Sequence, residues 1–484
     1  MAWWVLRRKL HTSWLIAICC GAIFIGIYIA RYNLFSFSSS AVILSIAVIL
    51  ISIALIRGYL YLVPILVIGG IIFGLWRGSI SQNELAQFKP LYGKFILIEG
   101  NVKDDIDVGP SNQIVIRLDN LSLKGKTLPG VLYVTSSAAD IKRGDKLILR
   151  GNLRNGFGNF SGVIYRANID KVVSPTPGDF ARVVRDWFAD AVRRVIPEPE
   201  ASLGIGYLVG QRRALPPDLA EALKLAGLTH IVVASGYNLT ILVRLARRLF
   251  IKVSKYASVL AAVVMIVVFM AIAGMSPSMS RAGLVSILSL AAWYYGRKFH
   301  PIVLLSIAIA VTVLINPSYA WGDLGWQLSF AAFAGVMIIA PLAQHYLFGD
   351  EKLGTIQQII GETVSAQLAT APIIVMAFGQ LSNVAIVSNI LVLPLVPLGM
   401  LLTFIAGLGS LLLPSIAVFT AMPASLILQY SVSVTEYLAG LPWVISSINL
   451  SWWGVALCYV VIVAACIYMW RVTKYNLRDA NLVE

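Results

Sequence analysis

Charge is scarce in this sequence. Asp, Glu, Lys and Arg make up 13% of 484 residues, against 58% hydrophobic. A soluble globular chain carries about 25% charged residues, so the shortage excludes a water-soluble enzyme and points to a polytopic membrane protein. Acids are the scarcer sign: none precedes Glu84, whereas six Lys and Arg lie in residues 1–79, and the formal net charge is +15. Cysteine is rare too, and Cys19, Cys20, Cys458 and Cys466 all fall in apolar runs, so no disulfide framework is expected in the hydrophilic part. The four histidines are dispersed and form no ligand-spaced set, so neither a metal nor any other cofactor is expected. A phosphate loop of the P-loop kind is also missing, which excludes transport driven by ATP hydrolysis within this chain.

What the chain has instead is apolar length. Three runs open it, near 12–30, 41–56 and 58–76; nine more lie near 228–248, 256–275, 279–296, 300–315, 325–345, 358–379, 383–411, 414–440 and 451–470. The basic clusters Arg7/Arg8/Lys9, Arg244/Arg247/Arg248/Lys252/Lys255, Arg297/Lys298 and Arg471/Lys474/Arg478 then all fall on one side. About 12 spans with both termini cytoplasmic therefore obey the positive-inside rule, as expected of a multi-pass protein of the plasma or inner membrane. Pro277, Pro372, Pro394 and Pro397 interrupt these runs and leave room for re-entrant segments. The basic N-terminus mimics a signal peptide, but the apolar run after it has full-span length and no small-x-small cleavage site. An uncleaved first helix is expected.

Between the two groups of runs the pattern changes. FILIEGNV, QIVIRLDNL, GVLYVTS, DKLILRGNL and VIYRANIDKVV are short runs separated by Gly, Asn, Asp and Pro, which predicts a small all-β, OB-like barrel. Lys142, Arg143, Lys146, Arg150 and Arg154, with Phe157 and Phe160 nearby, are candidates for phosphate contact and base stacking; surface lysines and core aromatics are the alternative. Residues 180–196 then spell an amphipathic helix. Phe180, Val183, Val184, Trp187 and Phe188 fall on one face, and Arg182, Arg185, Asp186 and Asp190 on the other, as in a helix lying in the membrane interface. The expected organisation is N-terminal spans in 1–79, an extracytoplasmic β domain in 80–176, an amphipathic helix and linker in 177–226, a helix bundle in 227–471 and a cytoplasmic tail in 472–484.

A few polar groups sit inside the apolar runs, where their cost marks them as functional candidates. His230, Ser235 and Asn238 lie in GLTHIVVASGYNLTIL, Arg281 in MSRAGLVSIL, Asp323, Gln327 and Ser329 in GDLGWQLSF, Gln367 in SAQLATAP and Asn389 in VSNILVLP. His230 and Ser235 are five positions apart, about 140° around a helix, so one helix cannot form a Ser–His dyad from them, and no catalytic function is expected. Arg281 costs about 2.5–3.5 kcal/mol at mid-membrane. A buried ion pair with Asp323 is the expected compensation, either shaping a path or purely structural. For each amide or hydroxyl, ordinary interhelical hydrogen bonding is the alternative to a place in a path.

In their order along the chain, GLTHIVVASGYN, SRAG, INPSYAWGDLGWQLSFAAFAGV, SAQLATAPIIVMAFGQLS and SNILVLPLVP resemble successive blocks of the ComEC-type competence proteins. The resemblance implies an inner-membrane channel passing single-stranded DNA into the cytoplasm during natural transformation, with an OB-like domain receiving the strand. It also implies separate DNA-receptor, helicase and nuclease partners, besides the lipid bilayer. Asn238 stands where the family motif has a second His. The sequence ends at Glu484 without the metallo-β-lactamase-like domain of many relatives, so no nuclease activity is expected. A channel or transporter for another anionic or small solute, or a non-conducting assembly factor, are the alternatives on the same scaffold.

Overall fold

The computed structural model describes residues 8–32, 40–108, 113–137, 141–175, 178–210, 215–232, 236–274, 277–296, 300–351 and 353–477. They form two compact units, Met1–Gly178 with Phe299–Gln327, and Asp179–Lys298 with Leu328–Glu484. Eight helices among the described residues are long and apolar enough to cross a membrane, which makes this a multi-pass membrane protein. Twelve spans were expected. The difference has a physical cause: Ala41–Arg57 and Pro301–Ile315 are apolar but short, Gly236–Phe250 carries three arginines, and Pro277–Tyr294 carries Arg281 and four serines.

In the first unit the helices Thr12–Ala30 and Val63–Ala86 touch backbone to backbone. Gly70, Gly74 and Gly78 recur every four residues and meet Ala22, Gly26 and Ala30, which recur the same way. A Cβ on Gly74 would run into the Ile23 carbonyl, and one on Gly26 into that of Ile71. Small residues at this spacing replace hydrophobic drive with close packing where lipid is the solvent. Pro301–Ile315 packs on Thr12–Ala30, with the Trp14 and His300 rings 4.8 Å apart. Arg77 closes the end of that helix, donating from Nε to Leu314 O at 2.8 Å and from Nη2 to Ile315 O at 3.0 Å. A cation on the last carbonyls suits the negative end of a helix dipole.

The same unit holds the β domain, made of β1 (Phe95–Val102), β2 (Asp107–Val108), β3 (Ile114–Leu123), β4 (Lys126–Leu128), β5 (Leu132–Ser136), β6 (Lys146–Asn155), β7 (Gly162–Ile164) and β8 (Asn168–Val173). Five strands close a ring, β1-β3-β5-β7-β6 and back to β1. Only the β5–β7 pairing is parallel within it. Alternation fills the barrel: Ile96 and Ile98 from β1, Ile116 and Leu118 from β3, Leu132 and Val134 from β5, and Leu147, Leu149 and Leu153 from β6 form its core. Gly151 lets β6 turn the corner, since a Cβ there would strike the Ile164 side chain.

The second unit centres on Glu200–Val209, Val396–Leu412 and Ala417–Ala439, whose Tyr207, Met400 and Leu428 belong to one core. The helix Phe180–Arg193 packs on Val396–Leu412, with Phe188 stacked on Phe404 at 5.8 Å. Its faces differ from the periodicity reading. Arg185, expected on the polar face, is buried beside Ala189 and Val192, while Phe180, Val183 and Trp187 are exposed. The helix therefore leaves a row of large apolar side chains uncovered while it packs Phe188 on the bundle.

Candidate functional site

The polar groups of the second unit gather along three helices: Gly236–Phe250, Pro277–Tyr294, and the part of Leu324–Ala334 beyond Gln327 with its continuation. Arg281 is the centre of this seam. It is buried, and its guanidinium lies 5.7 Å from the Phe330 ring and 5.1 Å from the Phe333 ring. Its Nε has no hydrogen-bond partner, and among the described residues no carboxylate lies within ion-pairing distance. Gly236 makes room for it: a Cβ there would stand 3.0 Å from Arg281 Nη2. The glycine of the first motif and the arginine of the second thus meet in space.

Asp323, the expected ion-pair partner of Arg281, belongs to the first unit, and Arg281 to the second. Both carboxylate oxygens of Asp323 are used within the first unit, Oδ1 by the Trp326 N–H at 2.7 Å and Oδ2 by Asn159 Nδ2 at 2.8 Å. Asp323 is therefore an N-cap for the helix that begins at Leu324. Burial pushes its pKa up, opposed by the Trp326 N–H and by the charges of Arg117 and Lys103.

The other candidates separate. Asn238 is fully buried and donates from Nδ2 to Tyr207 O at 3.0 Å, which ties two helices together. His230 is exposed. Ser235 lies outside the described residues. Ser329 shares a hydrogen bond with Ser278 at 3.1 Å, joining the seam's second and third helices near Arg281. Gln327 and Gln367 are half-buried. Asn389 is buried and donates to Ala385 O at 2.7 Å, leaving its Oδ1 without a partner.

Beyond Ala334 the chain makes one π-helical turn, Gly335–Ile339, a local insertion often found at functional sites. It rests against the next motif block: a Cβ on Gly335 would stand 2.5 Å from Ser365 O. Thr240, Val243, Arg244, Arg247, Val285, Ser286, Ser289, Leu290, Phe333 and Met337 line a cavity of about 90 Å³ between the three helices. Sequence reasoning missed Thr240, Ser286 and Ser289. The available signal was their helical spacing among apolar neighbours.

The barrel surface in the first unit sorts the proposed DNA contacts. Lys146 pairs with Glu99 at 2.7 Å, and Arg150 holds Asp170 with two bonds, at 2.7 and 2.9 Å. Arg143, expected at the surface, is buried. Lys142 and Arg154 are exposed and have no carboxylate partner among the described residues; Arg154 lies 5.8 Å from the Tyr165 ring. Phe157 and Phe160 form an edge-to-face trio with Tyr133, all centroids 5.2–5.3 Å apart, and Phe157 is half exposed at 50%. The turn carrying them reaches Asp323 through Asn159. There Gly158, in the left-handed region at φ +61°, lies against Gly322, and neither glycine has space for a Cβ. Sequence reasoning missed this contact, since its members are 164 residues apart.

Eight membrane-length helices among the described residues and a closed five-stranded barrel define a polytopic membrane protein with an inserted β domain. A family model described as "Competence protein" matches residues 207–472, more than half of the chain, and the chain belongs to that family. It is also similar to ComE operon protein 3 of Bacillus subtilis (strain 168), with 26% identity over 201 residues. That match covers 40% of this chain but only 25% of the relative. No solved structure matches. Among the described residues, no group of three His, Cys, Asp or Glu could hold a metal ion.

Proposed function

We propose that this chain is the inner-membrane channel through which a single DNA strand enters the cytoplasm, working without catalysis of its own. Family membership supplies the DNA-uptake context. The observation that carries the reading is Arg281: a buried guanidinium between two aromatic rings, with an unpartnered Nε and no carboxylate. Leaving a charge in that state is expensive, and a passing phosphate would relieve it with a forked, charge-assisted pair. Phe330 and Phe333 add faces against which bases can slide. His230, Ser329 and Gln367 are the further polar groups of the path.

The barrel is OB-like in its five-strand Greek-key closure and lies outside the cytoplasmic membrane, both termini being cytoplasmic. Its Tyr133–Phe157–Phe160 trio, with Lys142 and Arg154 for phosphates, receives the strand. A DNA receptor, a helicase and a nuclease are separate partners.

Reconstituted in liposomes, wild type should admit fluorescent single-stranded DNA, and Arg281→Gln should lower the rate by about tenfold or more, the loss of one buried charge-assisted contact. Normal strand entry through Arg281→Gln, at equal protein content, would defeat the reading. Flux of small anions with no strand entry would instead identify a solute channel.

A further inference from the structure

The seam that holds Arg281 continues along the same helices. Arg281, Val285 and Ser289 recur every four residues on Pro277–Tyr294; Gly236, Thr240, Arg244 and Arg247 recur at four, four and three on Gly236–Phe250. Each set therefore shares one helical stripe. Phe333 belongs to both ends of the seam: its ring lies 5.1 Å from the Arg281 guanidinium, and it also lines the cavity of about 90 Å³. Ser289 is eight residues beyond Arg281, which at 1.5 Å per residue is about 12 Å along the helix.

The chemistry of that cavity is one-sided. Arg244, Arg247, Thr240, Ser286 and Ser289 line it, and none of its lining residues is acidic. Arg247 is braced by the Trp293 ring at 4.4 Å, and Lys255 lies 5.3 Å from the same ring, so further positive charge stands behind the pocket. A single water needs only about 10–15 Å³ on the same measure, so the cavity of about 90 Å³ has room for a phosphate group. Guanidinium and hydroxyl groups are the donors that suit the oxygens of a phosphate.

We infer that this cavity is a phosphate-binding site, a second station along the seam from Arg281. The inference rests on the reading of the seam as an anion path. Its ligand is the phosphate group itself, whether on a nucleic-acid strand, on a lipid headgroup or free.

The full chain in nanodiscs of neutral phosphatidylcholine, titrated with inorganic phosphate and followed by phosphorus NMR, tests it. Wild type and Arg281→Gln should both saturate. Arg244→Gln with Arg247→Gln should weaken binding by about tenfold or more, and Arg244→Lys should recover part of it. Ser289→Val, which leaves the charges in place, should weaken it less and gives an independent reading if the double variant fails to fold. A drop in phosphate affinity on adding phosphatidylglycerol would identify a headgroup as the occupant. Competition by a phosphorylated thymidine dinucleotide, with no effect of that lipid, would identify a strand. No saturation by wild type, or equal affinity in wild type and a folded double variant, overturns the inference. Intact phosphate binding with no strand conduction would sink only the DNA reading.

Discussion

The barrel surface and the helix seam both carry surplus arginine and lysine, but they treat it differently. On the barrel, Lys146 and Arg150 are neutralised by Glu99 and Asp170 across neighbouring strands. In the seam, Arg281 lies by two aromatic rings with no carboxylate in ion-pairing reach among the described residues, and the Arg244–Arg247 cavity has no acid in its lining. Exposed pairs of the first kind contribute little and are screened by salt. A cation held without a counter-ion in low dielectric keeps its field. Cation counts therefore mislead: Arg117, Lys146 and Arg150 are spent on neighbouring acids of the barrel, while Arg281 keeps its attraction for an anion.

The contrast can be broken directly. Arg281→Gln should cause the largest functional loss, abolishing most strand entry, while melting of the purified protein stays level or rises because an uncompensated charge has gone. A fall in both would make Arg281 a packing residue. On the barrel, Phe157→Ala with Phe160→Ala should weaken binding of an oligothymidine to the full chain by about 1–3 kcal/mol per lost stack, measured by fluorescence anisotropy; unchanged affinity would remove the trio from the interface.

A pH effect of intermediate size is expected at Asp323. Burial raises its pKa in the folded chain, so its contribution to stability is largest at low pH and falls as pH rises from the ordinary carboxylate range through the raised value. Asp323→Asn should therefore melt higher relative to wild type as pH increases across that window, in thermal scans at matched salt. A constant difference would show that the carboxylate is not desolvated. Smallest of all, Arg150→Gln should leave strand entry near wild type, because that guanidinium is already spent on Asp170. A loss as large as that of Arg281→Gln would erase the contrast.

Much of the fold was legible because its signals are periodic. FILIEGNV alternates, and the alternation is what fills the barrel with Ile96 and Ile98. Long apolar runs gave the membrane helices wherever polar residues did not dilute them. Contacts set by distant partners were not legible. Arg143 and Arg185 read as surface residues because burial of a charge depends on neighbours that spacing does not name. Arg281 stood out at once as a cost, but spacing did not name its aromatic neighbours, nor the helix cap and the Asn159 contact that Asp323 makes within the first unit. The π turn at Gly335 left no mark in the sequence beyond a glycine.

The glycine seam of the first helix pair has a mechanical consequence. At Gly74 the two backbones meet directly, and at Gly70 and Gly78 nothing larger than the methyl of Ala22 or Ala30 stands between them. Sliding them apart would open a slot too narrow for lipid tails and too apolar for water, and nothing would offset the lost contact. The pair is thus a fixed post. Any rearrangement of the first unit's helices must be taken up by those that lack such a lock.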